Sequence, residues 1–270
     1  MIAEPERSVS EQTEALAPAV RRAVLILEVM AEQPDTPLGA SEIARRLELP
    51  KSSVANIVNT LADAGLVRRS AAGFALGRKI AELGGAYLAS IDLVQEFYDA
   101  SRELPAASDE TVQLAVLDGL EMTYLARHDG RQQVRLTSGI GRRLPATVTA
   151  TGKAALASLD DRELDRRLAT IARLPTPTPH SLGTMAALRG DLEHVRERGY
   201  ALDDEETVEG VICLGAAIPA RRPGEGPYAA SITLLKARAT DDRLAALVGD
   251  LRQLARGLSD PIRPADQRRR

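Results

Sequence analysis

The chain has 270 residues, longer than a single compact core usually runs, so two domains joined by a connector are expected. Apolar residues make up 44% and charged residues 27%, ordinary for a globular protein, while aromatics reach only 3%, so Ala, Leu, Val and Ile must fill the core. A lone cysteine, Cys213, excludes an intrachain disulfide, and His128, His180 and His194 are too scattered for metal-ligand spacing, so neither a metal nor another cofactor is expected and a reducing cytoplasm fits.

The opening "MIAEPERSVSEQTEALAP" carries acids and a proline where a secretory signal needs an apolar run, and no later stretch is long enough to cross a bilayer. A cytoplasmic protein without a membrane partner is therefore expected, with residues 1–16 and 261–270 as flexible tails. The net charge of −3 argues against nonspecific nucleic-acid binding by the whole molecule, yet it hides a division. Between Pro18 and Lys79 nine cations face six anions, a balance of +3 that leaves −6 for the remainder.

In chain order, "VRRAVLILEVMAEQP" spaces Val20, Ala23, Val24, Leu27 and Met30 as one helical face and predicts a supporting helix ending before Pro34. A second helix over "SEIARRLEL" buries Ile43, Ala44 and Leu47, with Glu42 placed where the helix dipole favours an anion. Pro50 ends it and suits the first turn of a third helix. There Val54, Ile57, Val58 and Leu61 form the inner face, and Lys51, Ser52, Ser53, Asn56 and Asn59 the outer one. "GLVRRSAAGFALG" then reads as a short β-hairpin, and the whole as a winged helix-turn-helix over residues 17–78. A packed helical hairpin with a solvated face has the same apolar periodicity. The chemistry at the amino end of the third helix favours DNA: a cation, two hydroxyls and an amide within reach of phosphates or base edges. Lys51 and the serines suit the backbone, Asn56 an adenine edge, and Arg68 and Arg69 the adjacent phosphates or a minor groove, with Arg45 and Asn59 completing the candidate face.

A connector helix is expected over residues 79–91, with a stripe of Ile80, Leu83, Tyr87, Ile91, Val94 and Tyr98 that pauses near Ser90; the stripe serves either an interface between copies or packing within the chain. Beyond it, "TVQLAVLD" and "EMTYLARH" form a hairpin about Asp118-Gly119, and "QVRLTS", "GVICLGAAIP" and "YAASITLL" read as further strands. Helices follow over "GKAALASL", "DRELDRRLATI", "TMAALRGDLEHVRERG" and "DDRLAALVGDLRQLARGL", giving an α/β or α+β domain over residues 92–260. "LPATVTATGKAALA" is not a phosphate loop, because Thr147 and Ala154 stand where that motif needs a glycine and a hydroxyl. A helix starting near Thr149 still presents amides and a positive dipole end to a carboxylate.

The run "SEIARRLELPKSSV...LADAGLV" followed by "FALGRKIAELGGAYL" resembles the isocitrate lyase regulator (IclR) family of bacterial transcription factors. "LPATVTATGKAALA", "RERGYALDDEETVEGVICLGAAIP" and "YAASITLL" continue the likeness in order, so that it covers Ala19 to Leu258. It departs where many members carry His-Arg on the recognition helix and this chain has Ala55 and Asn56. The resemblance implies an α+β multidomain protein: an N-terminal winged helix-turn-helix, the connector, and a C-terminal GAF-like effector-binding domain. It also implies a homodimer or dimer of dimers that binds a double-stranded DNA operator under control of a small-molecule effector. A carboxylate effector would meet the backbone of Ala150 and Thr151, Asp203 would accept a hydrogen bond, Cys213 would line the pocket and Val211 would be an apolar wall. Ser231 and Thr233 stand one residue out of register with the family's hydroxyl positions unless the loop "RRPGEGP" is shorter. A rival enzyme reading takes "DDEE" as paired carboxylates and Cys213 as a nucleophile, but no motif pairs a base with the cysteine, so no catalysis is expected. A winged helix that binds protein instead of DNA is the third alternative.

Overall fold

The computed structural model describes residues 17–132, 139–219 and 226–259. The two tails, the strand expected over "QVRLTS" and most of the "RRPGEGP" loop lie outside them. The chain divides into two compact units, one reaching Ser90 and one starting at Ile91.

The first unit runs α1 (Pro18–Glu32), α2 (Ala40–Arg46), α3 (Lys51–Asp63), β1 (Val67–Ser70), β2 (Gly73–Leu76) and α4 (Arg78–Ala89). Its core joins Ile26, Val29 and Met30 of α1 to Ile43 of α2, Val54, Val58 and Leu61 of α3, and Val67 of β1. The face expected for α1 is thereby corrected, since Val20 is 63% and Val24 48% exposed. The run "VLIL" offers two overlapping stripes at helical spacing, and contact with α3 selects the one through Ile26. Pro50 is likewise not inside the third helix but caps it from outside, in an extended conformation (ψ 131°), with its carbonyl accepting from Val54 N at 3.1 Å. The preceding turn is tight enough to hold Glu48 at φ 53°, a left-handed conformation unusual for a side-chain-bearing residue. The β1–β2 hairpin is antiparallel and is sewn to the α1–α2 connection by two hydrogen bonds between Leu38 and Phe74. The connector stripe breaks as expected at Ser90, which ends α4. No residue of α4 is buried, and Leu83 and Tyr87 are 54% and 56% exposed.

In the second unit come α5 (Asp92–Ser101), a 3-10 turn (Ala106–Asp109), β3 (Thr111–Asp118), β4 (Glu121–Asp129), β5 (Arg143–Pro145), α6 (Ala150–Ala157), α7 (Asp161–Leu168) and α8 (Met185–Arg198). These are followed by β6 (Ala201–Asp204), β7 (Val211–Ile218), β8 (Tyr228–Leu235) and α9 (Asp241–Ser259). The strands form one antiparallel sheet ordered β5-β4-β3-β8-β7-β6. Val94 on α5 is buried, so this half of the connector stripe packs within its own unit. Helices α5 and α9 pack on strands of the sheet, as does α6. Because side chains alternate across a strand, Cys213 and Gly215 of β7 share a face with Ser231 and Thr233 of β8, while Leu214 and Ile232 take the other. Helix α6 rests directly on β7: a Cβ placed at Gly215 would stand 2.3 Å from the carbonyl oxygen of Ala150.

Candidate functional site

In the first unit, the inner residues of α3 fix its orientation and turn Lys51, Ser52, Asn56 and Asn59 outward as exposed side chains. Ser53 is half-buried and accepts a hydrogen bond from Arg22 Nη1 at 3.3 Å. On β1, buried Val67 anchors the hairpin while Arg68 and Arg69 project from it. Arg69 Nη2 donates to Asn59 Oδ1 at 3.0 Å and lies 3.5 Å from Asp63, which ties the wing to α3. Arg45 is exposed on α2 but is held by both oxygens of Glu42, at 3.1 and 2.7 Å. Hydrogen bonds from Arg45 and Arg46 hold the Glu42 carboxyl down at about 2. Apart from half-buried Ser53, the candidate residues of α3 and β1 are exposed polar groups, and Arg45 on α2 is partly neutralised by Glu42.

The second unit holds a small cavity against the α6 side of the sheet, with about 30 Å³ of room for the centres of water-sized molecules. One wall is the start of α6. Thr149 caps the helix, its Oγ1 accepting from Gly152 N at 3.1 Å, so a helix end with its first amides, those of Ala150 and Thr151, borders the cavity. The same cavity is lined by Asp203, buried on β6 and linked through Thr207 Oγ1 to the carbonyl of Val148 just before α6. Asp203 Oδ1 accepts from the amides of Glu206 (2.8 Å) and Thr207 (3.1 Å), and its Oδ2 from Thr207 Oγ1 at 2.7 Å. Burial pushes the Asp203 carboxyl upward, opposed by the Thr207 hydrogen bonds and the charge of Lys153.

Cys213 faces Asp203 across the β6–β7 pairing, with Sγ 3.2 Å from Thr233 Oγ1. Burial, reinforced by the Asp203 charge, raises its thiol well above the ordinary range, the reverse of what an activated nucleophile requires. Ser231 and Thr233 both line the cavity and pair with Gly215 and Cys213 in the β7–β8 register. The β7–β8 register, invisible in one strand alone, decides their face. Val211 also lines the cavity.

Sequence reasoning missed Gln113, Tyr124 and Thr207, which border the same space. Gln113 left a signal as a polar residue at an inward position of "TVQLAVLD". Tyr124 Oη lies 3.3 Å from Thr151 Oγ1, a pairing that nothing in the sequence announces. Nor is "DDEE" a solvated acidic run. Asp203 points to the cavity, Asp204 and Glu205 hold Lys236 at 2.8 and 2.6 Å, and Glu206 pairs with buried Lys153.

A winged helix with an outward polar helix, carried with a separate α/β unit that encloses a cavity at a helix end, defines the class of a DNA-binding transcriptional regulator with a sensor-like domain. Comparison with known proteins places the chain within that class. Residues 19–71 match the IclR helix-turn-helix domain, and residues 85–260 match the bacterial transcriptional regulator IclR C-terminal domain. The HTH-type transcriptional regulator XynR of Escherichia coli (strain K12) is 34% identical, over 89% of this chain and 95% of its own length. The regulator KdgR of Dickeya chrysanthemi is 32% identical, over 88% and 77%. The crystal structure of Thermotoga maritima IclR aligns with a TM-score of 0.71 at 27% identity, covering 89% of this chain and 96% of that one. An IclR homologue from Microbacterium hydrocarbonoxydans, complexed with 4-hydroxybenzoate, aligns at 0.73 with 25% identity, over 89% and 97%. The chain belongs to the IclR family of bacterial transcriptional regulators.

Proposed function

We propose that this regulator binds operator DNA through α3 and its wing and is controlled by a small organic acid held in the second unit. Residues 17–78 act as the DNA-binding domain, 79–91 as the connector and 92–260 as the effector domain, in the cytoplasm and without catalysis. Lys51, Ser52 and Ser53 meet phosphates at the helix start, Asn56 reads a base edge, and Arg68 and Arg69 follow the flanking backbone, with Arg45 and Asn59 supporting them. Two copies place their recognition helices in successive major grooves, about 34 Å apart. The exposed apolar pairs Val20 with Val24 and Leu83 with Tyr87, each at helical i,i+4 spacing, suit burial against a second copy.

The observation that carries the effector reading is a cavity lined by both a helix amino end and the buried carboxyl of Asp203. An effector carboxylate sits at the amides of Ala150 and Thr151, where the helix dipole stabilises it. Asp203 then meets a hydroxyl of the ligand, Ser231 and Thr233 supply further hydrogen bonds, and Val211 and Cys213 cover the apolar part. That a relative was crystallised with 4-hydroxybenzoate, which carries both a carboxylate and a hydroxyl, supports this ligand chemistry. To act as a switch the acid must bind one arrangement of the protein better than another. Thermal-shift screening of small organic acids, starting with 4-hydroxybenzoate, tests the reading. A binding acid raises the melting temperature of the wild type, and Asp203→Ala abolishes the rise without loss of DNA binding. A full response in Asp203→Ala would place the effector elsewhere.

A further inference from the structure

Lys153 lies on α6, less than one turn after the amides that border the cavity, yet its side chain points away from solvent, 1% exposed. Its ammonium donates to the carbonyl oxygen of Leu202 at 2.6 Å and to Glu206 Oε1, and it is ion-paired with Asp191 Oδ2 at 2.8 Å. Two of these partners flank Asp203 in the chain, one residue before it and three after. Glu206 in turn donates its own amide to Asp203 Oδ1 at 2.8 Å. The segment between the two grips includes Glu205, held at φ 64°. Thr178 Oγ1 and Ser181 Oγ donate to the carbonyls of Glu205 and Glu206 from the other side, each at 2.7 Å.

We propose that Lys153 is a positioning residue for the effector cavity: gripping the chain on both sides of Asp203, it sets the separation between that carboxyl and the amide wall of its own helix. The ligand never needs to touch it. The role of the cavity rests on the function proposed above, whereas the positioning itself does not. A buried ammonium shared among α6, α8, β6 and the acidic turn would also glue the fold in general. The two roles differ in where the protein loosens when the grip is lost.

Hydrogen–deuterium exchange of the full chain, without any effector, separates them. In Lys153→Met, protection of the Glu206 and Thr207 amides should fall by about tenfold or more relative to the wild type, while amides in β7 and β8 keep theirs. Should Lys153→Met fail to fold, Glu206→Ala removes the distal grip alone and should give the same local loss. Glu206→Gln keeps an oxygen for the ammonium and should retain protection. Unchanged protection of the turn in the disruptive variants, or an equal fall at every amide, would overturn the assignment. Because no effector is present, an error in the effector reading leaves this outcome unaffected.

Discussion

At the residue scale, Lys51 and Asn56 stand five positions apart on the exposed side of α3 but have different chemistry to offer. An ammonium attracts any phosphate, so Lys51→Ala should weaken binding to all DNA sequences alike and reduce the salt slope by about one. An amide matches the donor and acceptor of one base edge, so Asn56→Ala should cost about 1–3 kcal/mol on the preferred operator and little on other sequences. Titration of both variants against operator and random DNA across a salt series measures the contrast. Glu206 allows a pH prediction. Burial raises its carboxyl from 4.5 to about 7 against the lowering pull of Lys153. The folded state therefore holds a proton that the unfolded chain releases, so this group's contribution to stability is full below about 4.5 and lost as pH rises through about 7. Glu206→Gln cannot ionise and should flatten that decline, as urea unfolding at pH 5 and pH 8 would show.

At the element scale, α4 has no buried side chain, and its two large exposed apolar residues, Leu83 and Tyr87, lie one turn apart. Leu83→Glu and Tyr87→Glu should therefore leave the melting of a protomer nearly unchanged, as surface substitutions do, while shifting sedimentation velocity toward the monomer. Retained self-association in both variants would free this helix from the interface. The elements also show what could be read in advance. Helix α3 was legible because its polar and apolar residues separate cleanly at 3.6-residue spacing around Val54, Val58 and Leu61. The buried face of α1 was not, because "VLIL" satisfies that spacing twice and the choice is made by α3. Asp203 and Cys213 were reached through family likeness. Tyr124, Thr207 and the links of Lys153 escaped because their partners are separated by tens of residues or by a turn whose shape no periodicity encodes. The faces of Ser231 and Thr233 depend on strand pairing, which a single strand does not carry.

At the scale of the whole molecule, the surplus of cations between Pro18 and Lys79 and the deficit elsewhere confine the attraction for DNA to one unit. With a negative remainder to repel phosphates, binding should depend on the few contacts of α3 and β1, and the affinity should fall steeply with added salt. An affinity indifferent to salt between about 50 and 200 mM would instead favour a protein partner for the winged helix.

Helix α4 has a further consequence. Twelve residues are marginal for a helix in water, and the Gly84-Gly85 pair in its middle lowers the propensity further. If α4 pairs with a second copy as proposed, the segment joining the two halves would gain its stiffness where protomers meet. On that pairing, dilution would do more than separate copies: it would soften the shaft between the two halves, so that responsiveness would become a property of concentration as well as of sequence.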